Sequence, residues 1–528
     1  MKTLFARVRN NGETHPWAVA FAVMLSTFMQ VLDSSVANVS LPHIAGDLSA
    51  AVDESTWILT SYLVANGIVL PLTGWLSTLF GRKRFYMWSV AIFTVASFLC
   101  GVSRSLGMLV FFRVLQGAGG GALVPISQAI LVESFPREKR GMAMAVFGMG
   151  VIFAPIIGPT LGGWITDNYT WHWIFLINIP VGILSLVLTS LLVFDPPYLV
   201  RKNLKQGLKI DYFGLGLLSV GLGFLQVVLD KGQREDWFGS PFIVWCSLLA
   251  IVGLVGTLFW ELSREDPIVD FRMLKERNFF LSCLAMFMLG LVLFSSTMLL
   301  PIFLQTLLGY TAMLSGLVLS PGGIVTLVML PLVGRLLAKY EGRWLVVGGM
   351  LVVSLSLFHM ANFNLYIDFR TAMMARIYQS FGFAFLFVPI NTMAFYFIPK
   401  EKVNNATGLI NLARNIGGSV GIALVTTLLA RRAQFHQTVL VSHLTPLDST
   451  YRAAESGASQ LLMQHGANAP QALSQAQGLI YGNLIRQATM LAFLDAFWLL
   501  GLTFMALIPL MFLMKKSPPH KAPTVAAP

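Results

Sequence analysis

Charge is what this chain has least of. Asp, Glu, Lys and Arg make up 11% of its 528 residues, against ~25% in soluble domains. That leaves too little polar surface to face water on every side and excludes an ordinary soluble domain. Cysteine is nearly absent: Cys100, Cys246 and Cys283 each sit in an apolar run, with no Cys-x-x-Cys, so no disulfide framework is expected. The eight histidines are scattered without ligand spacing, so neither a metal site nor a cofactor is expected. No Gly-Lys dipeptide occurs, which excludes a Walker-type phosphate loop and with it a visible ATP-driven engine. The net charge of +12 comes without any basic-aromatic module, so nucleic acid is not an expected partner.

Apolar residues fill the gap, at 56% of the chain. Runs of about 18 residues or more are long enough to cross a bilayer. They predict spans at 17–40, 54–77, 85–103, 107–133, 141–164, 171–194, 211–230, 241–262, 279–305, 311–338, 343–361, 370–397, 404–430 and 488–514. The expected fold class is an all-α polytopic membrane protein of about fourteen spans. The first run is too long for a signal-peptide core and reads as a retained span. Basic residues mark every second loop: Arg82, Lys83 and Arg84; Arg137, Lys139 and Arg140; Arg201, Lys202, Lys205 and Lys209. The pattern continues with Arg272, Lys275 and Arg277, then Lys339 and Arg343, then Lys400 and Lys402. The positive-inside rule puts these loops and both termini in the cytoplasm. The polar stretch 431–487, on the other side, reads as a partly helical loop or a docking surface for another protein.

The chain also repeats itself. "FFRVLQGAGGGALVPI" (111–126) and "MARIYQSFGFAFLFVPI" (374–390) lie 263 residues apart, relating Arg113 to Arg376, Gln116 to Gln379 and Pro136 to Pro399. "LPLTGWL" (70–76) and "LPLVGRL" (330–336) repeat at an offset of 260. Two homologous six-span halves follow, at 1–194 and 279–514, joined by a linker and inserted two-span pair at 195–278, with a tail at 515–528. Parallel repeats of this kind bind substrate at their interface and work by rocking one half against the other.

These residues resemble a known family. "GWLSTLFGRKR" (74–84) is similar to the signature loop of the major facilitators, and "FFRVLQG" (111–117) to their fourth-span arginine motif. "APIIGPTLGGWI" (154–165) resembles the fifth-span motif of the drug/proton antiporters. "LDSSVANVSLP" (32–42) and "WHWIFLINIPVG" (171–182) resemble the fourteen-span branch. Thr78 stands where the signature loop usually has an acid, and Ala154 replaces the first glycine of the fifth-span motif. The resemblance implies a major facilitator fold and proton-coupled export of hydrophobic compounds across a bacterial cytoplasmic membrane. It also implies a periplasmic adaptor (a membrane fusion protein) and an outer-membrane channel as partners. Gly74, Gly81, Arg82, Gly158, Pro159, Gly162 and Gly163 match its gating and helix-packing positions.

Polar residues inside the spans are the site candidates. Asp33 lies about sixteen residues into the first span, ~24 Å along it, and Arg113 falls at an overlapping depth in the fourth. An unpaired charge at the helix centre costs ~2.5–3.5 kcal/mol on insertion scales. Asp33 is therefore expected to face a central cavity and exchange a proton, tuned by Arg113; a permanent clamp between spans is the alternative. Gln30, Asn38, Gln116 and Asn178 are candidates to line the cavity or to bond a neighbouring backbone. Arg376 and Gln379 repeat Arg113 and Gln116 without a matching acid, which favours a structural or gating role. Arg414, beside Asn411, suits substrate coupling or a helix-to-helix anchor equally. Glu133 could pair with the Arg82 cluster, although solvation at the interface is the simpler expectation. Asp495 is a weaker proton candidate near the outer interface. "GAGGGA" (117–122) lies in a spanning helix, so close packing explains it better than nucleotide binding.

Abundant Phe (39) and Met (24) suit an adaptable apolar pocket, and few buried acids argue against polycationic substrates. The resemblance favours hydrophobic weak acids, uncouplers and neutral or monocationic drugs. Alternatives are an exporter dedicated to one metabolite or siderophore, and a non-transporting receptor or assembly subunit. An enzyme is not expected, because no nucleophile–base set is visible.

Overall fold

The computed structural model describes residues 9–10, 13–50, 52–136, 139–195, 211–265, 267–337, 339–399 and 402–515. Arg137, Arg201, Lys202, Lys205, Lys209, Lys400 and the tail beyond Lys515 lie outside them. A two-residue antiparallel pair, β1 (Arg9–Asn10) with β2 (Glu13–Thr14), precedes an otherwise helical chain. The first half contains α1 (Pro16–Asp47), α2 (Val52–Ser55), α3 (Trp57–Phe80), α4 (Arg82–Gly101), α5 (Leu106–Gly120), α6 (Leu123–Ser134), α7 (Arg140–Asn168), α8 (Trp173–Leu176) and α9 (Asn178–Leu192). Then come α10 (Tyr212–Lys231) and α11 (Pro241–Ser263). The rest is α12 (Arg277–Leu308), α13 (Ala312–Leu336), α14 (Gly342–Met360), α15 (Phe369–Ala394), α16 (Val403–Val441), α17 (Ser449–Gln464) and α18 (Ala469–Met511). Among the described residues, thirteen helical stretches are long and apolar enough to cross a bilayer, and the bent α7 makes fourteen.

Local chemistry sets many helix starts. Ser105, Glu276, Thr311 and Asp368 each accept a hydrogen bond from a backbone N–H in the first turn, satisfying one of the donors a helix leaves open. The expected fourth span is two helices, α5 and α6, because its glycines bring the chain against α3: a Cβ at Gly121 would lie 2.7 Å from the Asn66 carbonyl oxygen. The fifth bends by 43° between Arg140–Pro155 and Thr160–Thr166, the stretch that contains Pro159, as a proline inside a helix requires. Gly81 joins α3 to α4 at φ +84°, a conformation that glycine adopts at least cost. The polar stretch 431–487 is mostly regular: α16 runs on to Val441, α17 packs on α18, and α18 begins at Ala469 rather than near 488.

Repeat-related helices make matching contacts. The α1 helix packs along α7 as α12 packs along α16. The two sets meet where α7 lies against α13 and where α3 lies against α16. A side chain at Gly74 would overlap Asn405, whose Cα is 2.9 Å from the would-be Cβ. The repeat-related Gly334 meets Gly141 in the same way, at 3.1 Å from its carbonyl oxygen. The inserted α10 packs on both α3 and α16.

Candidate functional site

A cavity of about 890 Å³ lies between the two sets of helices. It extends from Asn38 and His43, exposed at its mouth, to Phe387 and Asn411 at its floor. Apolar side chains such as Phe294, Met298, Leu319 and Phe383 share its wall with Gln30, Gln226, Asp230, Arg376 and Arg414.

Asp33 is not in that wall. The cavity-lining face of α1 carries Gln30, Ser34, Asn38 and Leu41, and Asp33 sits roughly 120° around the helix at ~100° per residue. Its side chain is 1% exposed and points into the first half. There Arg113 Nη1 donates to one carboxylate oxygen at 2.6 Å. Gln116 and Asn178 donate to the other at 2.9 and 2.7 Å. Ser97 accepts from both amides. The expectation of a cavity-facing acid is therefore corrected. A buried carboxylate settles where donors meet both of its oxygens, and these donors stand on α5 and α9. One layer separates it from the cavity. The Tyr62 ring lies 4.2 Å from the Arg113 guanidinium carbon, and the Tyr62 hydroxyl accepts from Gln30 at 2.8 Å. Arg113 has further supports in the Ile58 carbonyl at 3.1 Å and Gln116 Oε1 at 2.7 Å.

The second half holds the repeat copy without its acid. Arg376 Nη1 donates to Gln379 Oε1 at 2.6 Å, and Nη2 to Thr297 at 3.1 Å. Arg376 Nε and Gln379 Nε2 have no partner, nor do Arg414 Nε and Nη1.

At the cavity floor the halves are tied by amides. Gln128 on α6 donates to Asn391 on α15 and accepts from Asn411 on α16 at 2.6 Å, and all three are buried. Gln128 and Asn391 are themselves 263 residues apart, so the repeat axis passes between them. Phe147 stacks on Phe387 beside them, centroids 6.2 Å apart.

The remaining candidates sit elsewhere. Arg82 and Glu133 form a bidentate ion pair with side chains 3% and 12% exposed, which corrects the expectation of a solvated Glu133. Thr78 turns its hydroxyl back to the Trp75 carbonyl at 2.7 Å. Gly158 and Gly162 let α7 touch α1 at Ser35 and Val36, whereas Gly163 lines the cavity with open space around it. The Pro159 side chain lies outside the described residues. Asp495 accepts from Arg432 at 2.5 Å and contacts His436 at 2.8 Å.

Sequence reasoning missed Ser97, Tyr62, Thr297 and Gln128. Only Gln128 had a signal, since the 263-residue offset pairs it with a second amide.

The sequence profile described as Major Facilitator Superfamily matches residues 23–422. The chain is 37% identical over 505 residues to the multidrug export protein EmrB of Escherichia coli (strain K12), covering 96% of each chain. It is 38% identical over 502 residues to EmrB of Haemophilus influenzae, covering 94% of this chain and 95% of that one. Among solved structures it is similar to a double-tryptophan mutant of XylE, with a TM-score of 0.61 and 13% identity over 95% of this chain and 96% of that one. An all-helical chain of two repeated bundles around one cavity, with these relatives along nearly its whole length, belongs to the major facilitator superfamily.

Proposed function

We propose that this multi-pass inner-membrane protein exports hydrophobic drugs and toxic small molecules in exchange for protons, by rocking the halves 1–194 and 279–514 around the central cavity. The relatives' names supply the cargo class. The observation that carries the coupling is the ion pair of Asp33 and Arg113, one side-chain layer from an apolar cavity.

The charge pattern of the loops puts both termini in the cytoplasm, so the cavity mouth at Asn38 and His43 opens outward. Protonation of Asp33 removes the anion that holds Arg113. The guanidinium then keeps Gln116, the Ile58 carbonyl and the Tyr62 face, so the cation stays supported as the pair parts. Because Ile58 and Tyr62 belong to α3, the protonation state is transmitted to a helix that contacts the other half. Water reaches Asp33 when the Gln30–Tyr62 layer opens. One charge crossing 100 mV supplies ~2.3 kcal/mol, enough for about a fifty-fold gradient. The resemblance to the fourteen-span drug/proton antiporters implies a periplasmic adaptor and an outer-membrane channel as partners, and residues 431–487 are the surface proposed to face them.

Drug-induced proton flux in proteoliposomes tests this reading. Asp33→Asn is expected to abolish coupled flux while drug binding persists; uphill drug accumulation with unchanged coupling in that variant refutes the assignment.

A further inference from the structure

We propose that Arg376 and Thr297, with Gln379 bonded behind them and Arg414 lining the same cavity, form a subsite for the ionised acid group of an amphipathic organic anion. The inference deepens the export reading and rests on it for the identity of the cavity as the cargo site.

The two halves hold the same arginine–glutamine pair against different partners. In the first, arginine and glutamine one helical turn apart converge on a carboxylate: Arg113 Nη1 and Gln116 Nε2 both donate to Asp33. In the second, the same pair is held in the same way. Arg376 Nη1 binds Gln379 Oε1 at 2.6 Å, as Arg113 Nη1 binds Gln116 Oε1 at 2.7 Å. The residue that meets Arg376 is Thr297, a neutral hydroxyl where Arg113 meets the carboxylate of Asp33. Gln379 Nε2, the counterpart of a donor that grips Asp33, is left without a partner, as is Arg376 Nε.

The second half thus holds a carboxylate-binding pair with no carboxylate, and Arg376 and Thr297 border the cavity where Asp33 and Arg113 do not. Arg414, 6% exposed, lines the same cavity with two unpartnered nitrogens. Among the described residues no carboxylate pairs with either arginine. Buried guanidinium groups without a counter-charge are costly, and their planar donor forks match carboxylate geometry. The rest of the wall, with Phe294, Met298 and Phe383, suits an apolar body. A ligand with one acid group and a hydrophobic frame supplies both.

The test measures binding in nanodiscs of 1-pyrenebutyrate and its methyl ester, read by energy transfer from protein tryptophan and corrected with empty nanodiscs. Wild type is expected to bind the acid about tenfold or more tightly than the ester at pH 7.5. Thr297→Asp replaces the hydroxyl that meets Arg376 with a carboxylate and so supplies the missing counter-charge from the protein itself. It is expected to bring acid affinity down to that of the ester and leave ester affinity unchanged, as is Arg376→Gln. Equal binding of acid and ester by wild type overturns the proposal, and so does an acid preference that survives both substitutions. Binding needs no gradient. Absence of the preference in wild type with intact drug-induced proton flux sinks the subsite alone, whereas a wild-type preference without flux sinks the export reading alone.

Discussion

The amide knot at the cavity floor makes a quantitative prediction about conformational balance. Gln128→Leu removes both hydrogen bonds that Gln128 makes across the repeat axis, to Asn391 and from Asn411. At ~1 kcal/mol each, the floor-closed state loses about 2 kcal/mol. In the opposite state the floor parts and water meets the same amides, so the cost falls on one side of the equilibrium. About 2 kcal/mol corresponds to a shift of roughly thirtyfold, which turns a 99:1 preference into roughly 3:1. That is a lower bound, because the introduced leucine also leaves Asn391 Oδ1 without its donor in a dry contact, while the Asn391 and Asn411 amide nitrogens keep the Phe387 and Thr407 carbonyls. Spin labels at Arg84 and Tyr340, both exposed and on opposite sides of the contact, report the change by double electron–electron resonance. A new long-distance population of about a quarter is expected. If a well-folded Gln128→Leu protein keeps the wild-type distribution, the amides do not hold the floor closed.

Other substitutions test the same physical account. Gly74→Ala forces a methyl group to within 2.9 Å of the Asn405 backbone; overpacking of ~1–3 kcal/mol is expected to open the floor by the same resonance measurement. Asp33→Ala strands the buried Arg113 charge and is expected to lower stability by ~3–5 kcal/mol. Asp33→Ala with Arg113→Leu is expected to regain much of that in detergent-solubilised thermal unfolding, whereas strictly additive losses would contradict a paired charge. His172, the residue before α8 and outside the apolar helical stretch Trp173–Leu192, has its pKa held below the usual value by desolvation, partly opposed by Asp47. The unfolded chain therefore binds more protons between the lowered value and ~6.5, so stability rises with pH through that window and falls on acidification. His172→Phe is expected to flatten this slope between pH 7.5 and 5.5.

Span number and class were legible because bilayer length and apolar runs leave few choices. The repeat was legible too, and it related Arg113 to Arg376 and Gln116 to Gln379, although the amides at 128 and 391 were missed. The orientation of Asp33 was not. Gln30 and Asp33 are three residues apart, yet one faces the cavity and the other the interior of the first half, and only the positions of Gln116 and Asn178 decide which. Chain distance hides those partners, which lie 83 and 145 residues away. The Arg82–Glu133 pair was half legible: charge marked both residues, but their burial depends on how α4 meets the end of α6. The reach of α16 and α18 beyond the apolar runs was missed because hydropathy marks where a helix leaves lipid, not where it stops. Ala- and Gln-rich sequence continues a helix readily in water.

The unbroken α16 has a mechanical corollary. Its 39 residues make a rod of about 58 Å at ~1.5 Å per residue, with one end at the inter-half contact near Asn405 and the other well past the apolar region. A swing of about 15° around its middle carries the far tip through roughly 7 Å. In the proposed rocking cycle, a partner resting on that tip would be displaced once per turnover, with the protruding hairpin as the lever arm.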